Sequence, residues 1–307
     1  MNVILWLEEL QPPLMNQAIN AVAREHGALE FVGAIPSEKM PIGNGRGAAF
    51  LMNGKPIPVL VDRKSVAALD YDIVIVGGNN VVMPDILKRA KRLNVDEEKI
   101  VLDRTTCVPG FTLEKYQRLR RSNLTILSQN CWGGFVYHLF GLPFLSPIVN
   151  MFMSEFDFLK FLRDPRHYIS QKLRLVRTQF NPELKINYPI FAADDITLNM
   201  NHYADFDVAR AKWRERCRRI NWDNILAVMY TDAPKVLDEF NKTTTYRKVC
   251  FTNFQTDLDC GFYIEPRFTQ GLELWQPVNL IAQNLIACFD LWDLLLDGKK
   301  TPLEEGR

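Results

Sequence analysis

The chain has almost no net charge. Its 307 residues carry 37 lysines and arginines against 36 aspartates and glutamates. Such a balance excludes a protein whose whole surface coats nucleic acid, because that binding draws on an excess of cations. Long hydrophobic runs are missing too, and no stretch approaches the roughly eighteen apolar residues that a membrane-crossing helix needs. Residues 1–13 meet Glu8 and Glu9 early and contain no basic leader, so they do not read as a secretory signal, and the expected compartment is the cytoplasm. The six cysteines (Cys107, Cys131, Cys217, Cys250, Cys260 and Cys288) are scattered without a CxxC pair. Neither a disulfide framework nor a zinc knuckle is expected from that spacing. HExxH, GxSxG and phosphate-loop patterns are absent as well, and no metal or cofactor is expected.

What is present is ordinary for a folded protein, with 47% apolar and 24% charged residues. The length suits two domains. Residues 3–7, 29–35, 72–76 and 99–102 are short apolar runs separated by helical periodicity, notably after Pro12-Pro13 and from Pro84 to Leu93. Asn53-Gly54 between two further runs is a hairpin signal. Continuous apolar strands in β-α-β order predict a parallel sheet covered on both faces. The basic stretch KYQRLRR (115–121) closes this part, which gives a first domain over 1–121 and a second over 122–307. The second also reads α/β, with strands near 124–127, 196–200, 225–230 and 248–252. Helices are expected at 155–163, 206–219 and across much of 271–296.

A parallel sheet that opens a chain invites a dinucleotide reading. That needs glycines at the first strand–helix turn, where backbone must approach a pyrophosphate. Here the turn is Glu8-Glu9-Leu10-Gln11-Pro12-Pro13, which offers acid and proline instead. The Gly77-Gly78-Asn79-Asn80 turn, at a carboxyl strand end, is either a ligand loop or a plain connection.

The most specific local signal is Ser128-Gln129-Asn130-Cys131-Trp132-Gly133-Gly134, between a strand and a helix. A thiol at a helix N-terminus has its thiolate favoured by the dipole, and free first-turn amides can receive an oxyanion. Cys131 is therefore a candidate nucleophile, with Gly133 and Gly134 as its oxyanion donors. The same loop could instead grip a sugar or phosphate through Asn130 and Trp132, or could be a tight structural turn. A nucleophile needs a base, and among four histidines His202 is the candidate, with Asp195 as its acidic neighbour. Strand alternation puts Asp195 and His202 on opposite faces unless the strand ends or bulges between them. Arg210, Arg214 and Arg218 recur at helical spacing beside Trp213, which suits either an anion site or a solvated helix face. Asn221 and Asn224 flank Trp222 in a polar, aromatic turn that suits a sugar ring or a helix end.

The ordered set SQNCWGGFVYHLFGLPFLSP (128–147), DITLNMNHY (195–203), KWRERCRRINWDN (212–224) and KVCFTN (248–253) resembles a family of uncharacterised bacterial proteins found among exopolysaccharide and capsule biosynthesis genes. The segments DYDIVIVGG (70–78) and EEKIVLDRTTCVPGFTLEKYQRLR (97–120) resemble the Rossmann-like domain attached to some glycan-biosynthesis proteins. The resemblance implies Asn130, Cys131, Trp132, Gly133, Gly134, Asp195, His202, Trp213, Asn221 and Asn224 as signature positions. It implies a part in surface-polysaccharide biosynthesis, as a transferase on a sugar or nucleotide-sugar precursor. Two alternatives stand beside it: a non-catalytic binder of a sugar or sugar phosphate, and a cysteine-dependent acyl hydrolase. The last requires His202 within hydrogen-bond reach of Cys131. A homodimer is expected from the stock of 19 phenylalanines and 6 tryptophans.

Overall fold

A computed structural model describes residues 1–9, 12–39, 49–52, 54–243, 245–265 and 289–302. In chain order the elements are β1 (Asn2–Leu7), α1 (Met15–His26), β2 (Glu30–Pro36), β3 (Ala49–Met52), β4 (Lys55–Pro58), α2 (Arg63–Ala67), β5 (Ile73–Gly77), α3 (Met83–Leu93), β6 (Ile100–Leu102), α4 (Asp103–Thr106) and α5 (Leu113–Arg121). They continue with β7 (Thr125–Ser128), α6 (Trp132–Leu139), α7 (Glu155–Arg163), α8 (Pro165–Ser170), β8 (Arg174–Asn181), β9 (Ile186–Ala193), β10 (Ile196–Asn199) and α9 (Phe206–Cys217). The last described elements are β11 (Ile225–Thr231), α10 (Pro234–Thr243), β12 (Arg247–Thr252), β13 (Gly261–Tyr263) and α11 (Leu291–Asp297). The chain is α/β and divides into two compact units, Met1–Gln117 with His138–Leu142, and Arg118–Tyr137 with Pro143–Arg307.

The first unit is Rossmann-like. Its sheet has the order β2-β1-β5-β6, and every pairing in it is parallel. Val3, Ile4, Leu5 and Trp6 of β1 and all of β5 are buried, as expected of strands covered on both faces. Helix α1 stops at Gly27, whose φ of 76° is the left-handed region that glycine enters freely. The hairpin β3–β4 forms around Gly54.

The second unit has two sheets. Strands β13-β12-β11-β7 form a wholly parallel sheet, while β10-β9-β8 is an antiparallel one inserted between β7 and β11. Because all four strands of the parallel sheet run the same way, their carboxyl ends share one edge, where open α/β sheets place ligands. The core beneath gathers Leu127, Phe158, Phe161, Phe191, Trp213 and Phe240. The β8–β9 hairpin has no counterpart in the sequence reading, because β8 is exposed along almost its whole length and so shows no apolar/polar alternation. Of the helix expected over 271–296, residues up to 288 lie outside the described ones, and α11 accounts for its end. No helix among the described residues is long and apolar enough to cross a membrane.

Candidate functional site

Strand β7 ends at Ser128 and α6 begins at Trp132, so residues 129–131 form an elbow at the carboxyl edge of the second unit's parallel sheet. Gln129 fixes it. Its amide donates to the Val228 carbonyl (2.9 Å), its carbonyl accepts from the Met153 amide (2.9 Å), and its Oε1 accepts from the Tyr230 amide (3.2 Å). Asn130 then caps the helix start, with Oδ1 accepting from the Trp132 amide at 3.0 Å and from Ser128 Oγ at 3.3 Å. Its Nδ2 is buried without a hydrogen-bond partner among the described residues.

Cys131 follows, half-buried, with Sγ 3.4 Å from His202 Nε2 and 3.9 Å from the Met151 carbonyl. His202 reaches it because β10 stops at Asn199. The next residues turn, the Tyr203 amide donating to the Met200 carbonyl at 2.9 Å, and this re-aims the imidazole. Two clamps hold the turn. Asn199 and Phe152 exchange backbone hydrogen bonds of 3.0 and 3.1 Å, which ties β10 to the loop bearing Met151. Buried Arg216 donates to the Val149 carbonyl (2.9 Å) and to the Tyr203 hydroxyl (2.7 Å), with its guanidinium over the Phe144 ring.

Burial sets the charge state of the pair. It pushes the Cys131 thiol up to about 11 and holds His202 below its ordinary 6.5, the latter partly offset by the carboxylate of Glu183. The dipole-lowered thiol expected from the sequence is thus corrected, since desolvation of the thiolate outweighs it. Near neutral pH the two groups are thiol and imidazole, and in the tautomer that carries its proton on Nδ1 the S–H donates to Nε2. A neutral Nε2 at that distance can take the thiol proton as sulfur attacks.

The structure does not bring Asp195 to this pair. It sits at the β9–β10 turn, where it accepts from Lys160 Nζ (2.8 Å) and the Tyr168 hydroxyl (2.9 Å). The four residues of β10 alone separate it from the His202 turn by about 13 Å. Its carboxyl is held below the usual range by Lys160 and Tyr168, and its neighbour Asp194 contacts His167 at 2.7 Å. Asp195→Asn is accordingly expected to change the alkylation rate of Cys131 by no more than about twofold, the range of ordinary surface substitutions.

The other expected site residues divide. Trp132 is fully buried against Phe251, with ring centroids 5.9 Å apart, so it is a core residue and not an exposed ligand platform. Gly133 and Gly134 lie in the first turn of α6, where amides have no acceptor inside the helix. They also let the helix sit close: a Cβ on Gly133 would stand 3.0 Å from Ile126 Cγ2, and one on Gly134 3.3 Å from Val149 Cγ1. Arg210 lies over the Phe191 ring and near Asp207 (3.5 Å), while Arg214 and Arg218 are exposed, and Arg218 lies beyond the end of α9. Among the described residues none of the three bonds to Cys131 or His202; the buried stripe of α9 is Ala209, Trp213 and Arg216. Asn221 and Asn224 sit at the opposite, amino-terminal end of β7 and β11. There Asn221 Nδ2 donates to the Asn123 carbonyl (3.0 Å) and Asn224 Nδ2 to the Ser122 carbonyl (2.7 Å), while Asn224 Oδ1 accepts from Arg247 (2.6 Å). Their amides are spent on joining chain segments.

Sequence reasoning missed Arg216, Tyr203 and the Met151 carbonyl. Only Arg216 carried a signal, at three residues from Trp213 on one helix face. In the first unit, the Gly77–Asn80 turn donates to the chain's own acids, Gly78 N to Asp103 Oδ2 (3.3 Å) and Asn79 N to Glu9 Oε1 (2.8 Å). Carboxylates therefore occupy the amides that a phosphate would use.

Two comparisons relate the chain to known sequences. An uncharacterized protein of Haemophilus influenzae (strain Rd) is 32% identical over 141 residues, which cover 45% of this chain and 65% of the relative. The match thus spans less than two thirds of that relative's length. A family profile matches residues 103–295, more than half of the chain, and includes Cys131, His202 and Arg216. The chain belongs to that family, described as a domain of unknown function, DUF1919.

Proposed function

We propose that this chain is a cysteine-dependent acyl-transfer enzyme in which Cys131 is the nucleophile and His202 its base. The observation that carries the reading is the 3.4 Å approach of Cys131 Sγ to His202 Nε2 at a strand-to-helix elbow. In the first step Sγ attacks the acyl carbonyl while its proton passes to Nε2. The thioester forms, and the departing alkoxide takes that proton from the imidazolium. A second hydroxyl, from water or from an acceptor, then gives its proton to Nε2 and attacks the thioester carbonyl; the C–S bond breaks and the leaving sulfur takes that proton back from Nε2, which restores the thiol and the neutral imidazole. Amides of Gly133 and Gly134, with Asn130 Nδ2, are the donors we assign to the tetrahedral oxyanion.

The resemblance to proteins encoded among exopolysaccharide and capsule genes supports a saccharide substrate, with the acyl group on a sugar hydroxyl and transfer between sugars as the biological form. A homodimer in the cytoplasm belongs to the same proposal, and light scattering of the purified chain tests the dimer. One observation favours a second reading, a saccharide-binding protein without chemistry: the thiol is pushed up to about 11 and is a poor nucleophile unless the base acts.

The two readings part in one experiment. The native protein is incubated with p-nitrophenyl acetate, quenched in acid and digested, and each cysteine peptide is weighed. We expect an acetyl adduct on Cys131, absent in His202→Ala. Acetylation spread evenly over the cysteines, or unaffected by His202→Ala, would overturn the enzyme reading.

A further inference from the structure

We infer that two copies of this chain pair through the open edge of β8, each strand running antiparallel to its copy about a two-fold axis at Gln179. This deepens the dimer of the reading above and rests on that part of it, and it is independent of the acyl chemistry at Cys131.

Strand β8 ends the β10-β9-β8 sheet, and among the described residues no strand pairs with its free side. Arg174 to Phe180 are exposed without a break. Of the ten exposed large apolar side chains among the described residues, four belong to β8 or to the turn after it: Leu175, Val176, Phe180 and Leu184. A long edge that shows apolar side chains is a template for another strand.

The backbone directions select the partner and the register. The Met200 amide donates to the Pro189 carbonyl at 3.1 Å, so that carbonyl faces β10 and not β8. Thr178 stands opposite Pro189, which makes the two a non-hydrogen-bonded pair between β8 and β9. The N–H and C=O of Thr178 therefore point to the open edge, and those of Phe180, two residues on, do the same. An axis at Gln179 sets Thr178 of each copy opposite Phe180 of the partner subunit, and every one of these outward N–H groups then meets an outward carbonyl. Neighbouring axes do worse. At Arg177 two arginines meet face to face. At Thr178 the ladder runs into the register shift between Leu175 and Arg177. At Phe180 it sets Pro182, which has no N–H, opposite Thr178.

The side chains agree with this register. Thr178 and Phe180 share one face, and the two Phe180 rings become diagonal neighbours across the axis, within reach of one another. Arg177 falls opposite Asn181 of the partner subunit. Glu183, just past the end of β8, comes to the end of the partner strand that begins at Arg174, so opposite charges approach. Edge arginines and a bulge deter unrelated strands, whereas an identical strand in this register meets neither obstacle.

Light scattering of the full chain over a range of concentrations, joined to cysteine cross-linking, tests the pairing. The wild type is expected to dimerise. Thr178→Pro removes an N–H that faces away from β9, so the hairpin keeps its bonds while the dimer dissociation constant should rise about tenfold or more. Phe180→Lys, at a side chain exposed in the single chain, should weaken the dimer similarly with little change in melting temperature. Gln179→Cys should form a disulfide to its own copy under mild oxidation, because a non-hydrogen-bonded pair places the two Cα atoms about 4.5 Å apart. Arg174→Cys, roughly 30 Å from its copy in this register, should not. Digestion and peptide masses separate that link from any through the native cysteines. A wild type that stays monomeric, a dimer untouched by both Thr178→Pro and Phe180→Lys, or Arg174→Cys linking as readily as Gln179→Cys would each overturn the pairing. Acetyl trapping reads Cys131 alone, so its failure leaves this result standing, and a failed pairing leaves the trapping result standing.

Discussion

Cys131→Ala is expected to remove acyl transfer almost entirely, a fall of roughly a thousandfold or more, with the fold intact. The side chain is half-buried at an elbow held by Gln129 and Asn130 through their own hydrogen bonds, so losing one sulfur should cost only about 1 kcal/mol. His202→Ala should reduce the rate on the same scale. The double variant should be scarcely worse than either single one, because the two groups act as a unit. The pH profile separates mechanisms. Burial holds His202 below 6.5 and raises Cys131 to about 11, so the resting pair is neutral through the intervening range. Below its pKa His202 is protonated and cannot accept the thiol proton. The rate therefore rises with pH through a limb below 6.5 and then stays level until the thiol ionises. A preformed thiolate–imidazolium pair would instead give a bell that falls when the imidazolium loses its proton. A profile of that shape would replace His202 as base toward a neutral thiol with a preformed ion pair, and an undiminished rate in Cys131→Ala would remove Cys131 as the nucleophile.

The elbow was legible in the sequence, and so was His202 as the candidate partner of its cysteine, but not the turn that brings the two together. Asn-Cys-Trp-Gly-Gly between an apolar run and a helical pattern announces a strand-to-helix turn through local chemistry alone: a capping amide, then residues without side chains where a helix must lie close to a strand. His202 stands 71 residues away, and strict alternation set it among Ile196, Leu198 and Met200. What alternation cannot foresee is the end of β10 at Asn199, after which the turn at Met200–Tyr203 carries the ring out of the strand's pattern. Periodicity misled again on α9. Arg210, Arg214 and Arg218 share a face, but the buried arginine is Arg216, and a count of charges cannot distinguish a cation facing water from one donating into the protein. Asn221 and Asn224 teach the same lesson for amides, since capping a carbonyl and gripping a sugar hydroxyl ask for the same group. The parallel strands β1, β2, β5, β6, β7, β11 and β12, by contrast, were readable because strands buried on both faces show up as unbroken apolar runs, whereas the half-buried three-residue β13 was not.

Arg216→Met is expected to lower Cys131 reactivity by about ten- to a hundredfold although Arg216 touches neither reacting atom. Its two donations, to the Val149 carbonyl and to the Tyr203 hydroxyl, join the loop that supplies Met151 to the turn that aims His202. The chain on one side of the cysteine is thereby pinned to the chain carrying its base. Methionine fills much of the volume but donates nothing, so the Val149 carbonyl keeps only the longer bond from the Tyr203 hydroxyl (3.4 Å), at a cost of about 1 kcal/mol. Relief of arginine desolvation opposes part of that cost, and the net loss of stability should stay modest. Reactivity is more sensitive. A displacement of about 1 Å at a reacting pair can cost a hundredfold, and the Arg216 donations share the task of setting the Cys131–His202 distance with the Asn199–Phe152 pair and with Asn181 Nδ2 on the Asn201 carbonyl. Tyr203→Phe removes one acceptor from Arg216 and leaves the Val149 bond, so it should reproduce only a small part of the effect. Arg216→Lys keeps the charge but cannot span both acceptors with a planar fork, and should fall between them. Thermal melting read beside the rate of Cys131 alkylation decides the matter. Reactivity that drops far more than melting temperature identifies a positioning role, whereas the two falling together would mean that Arg216 only holds the second unit folded.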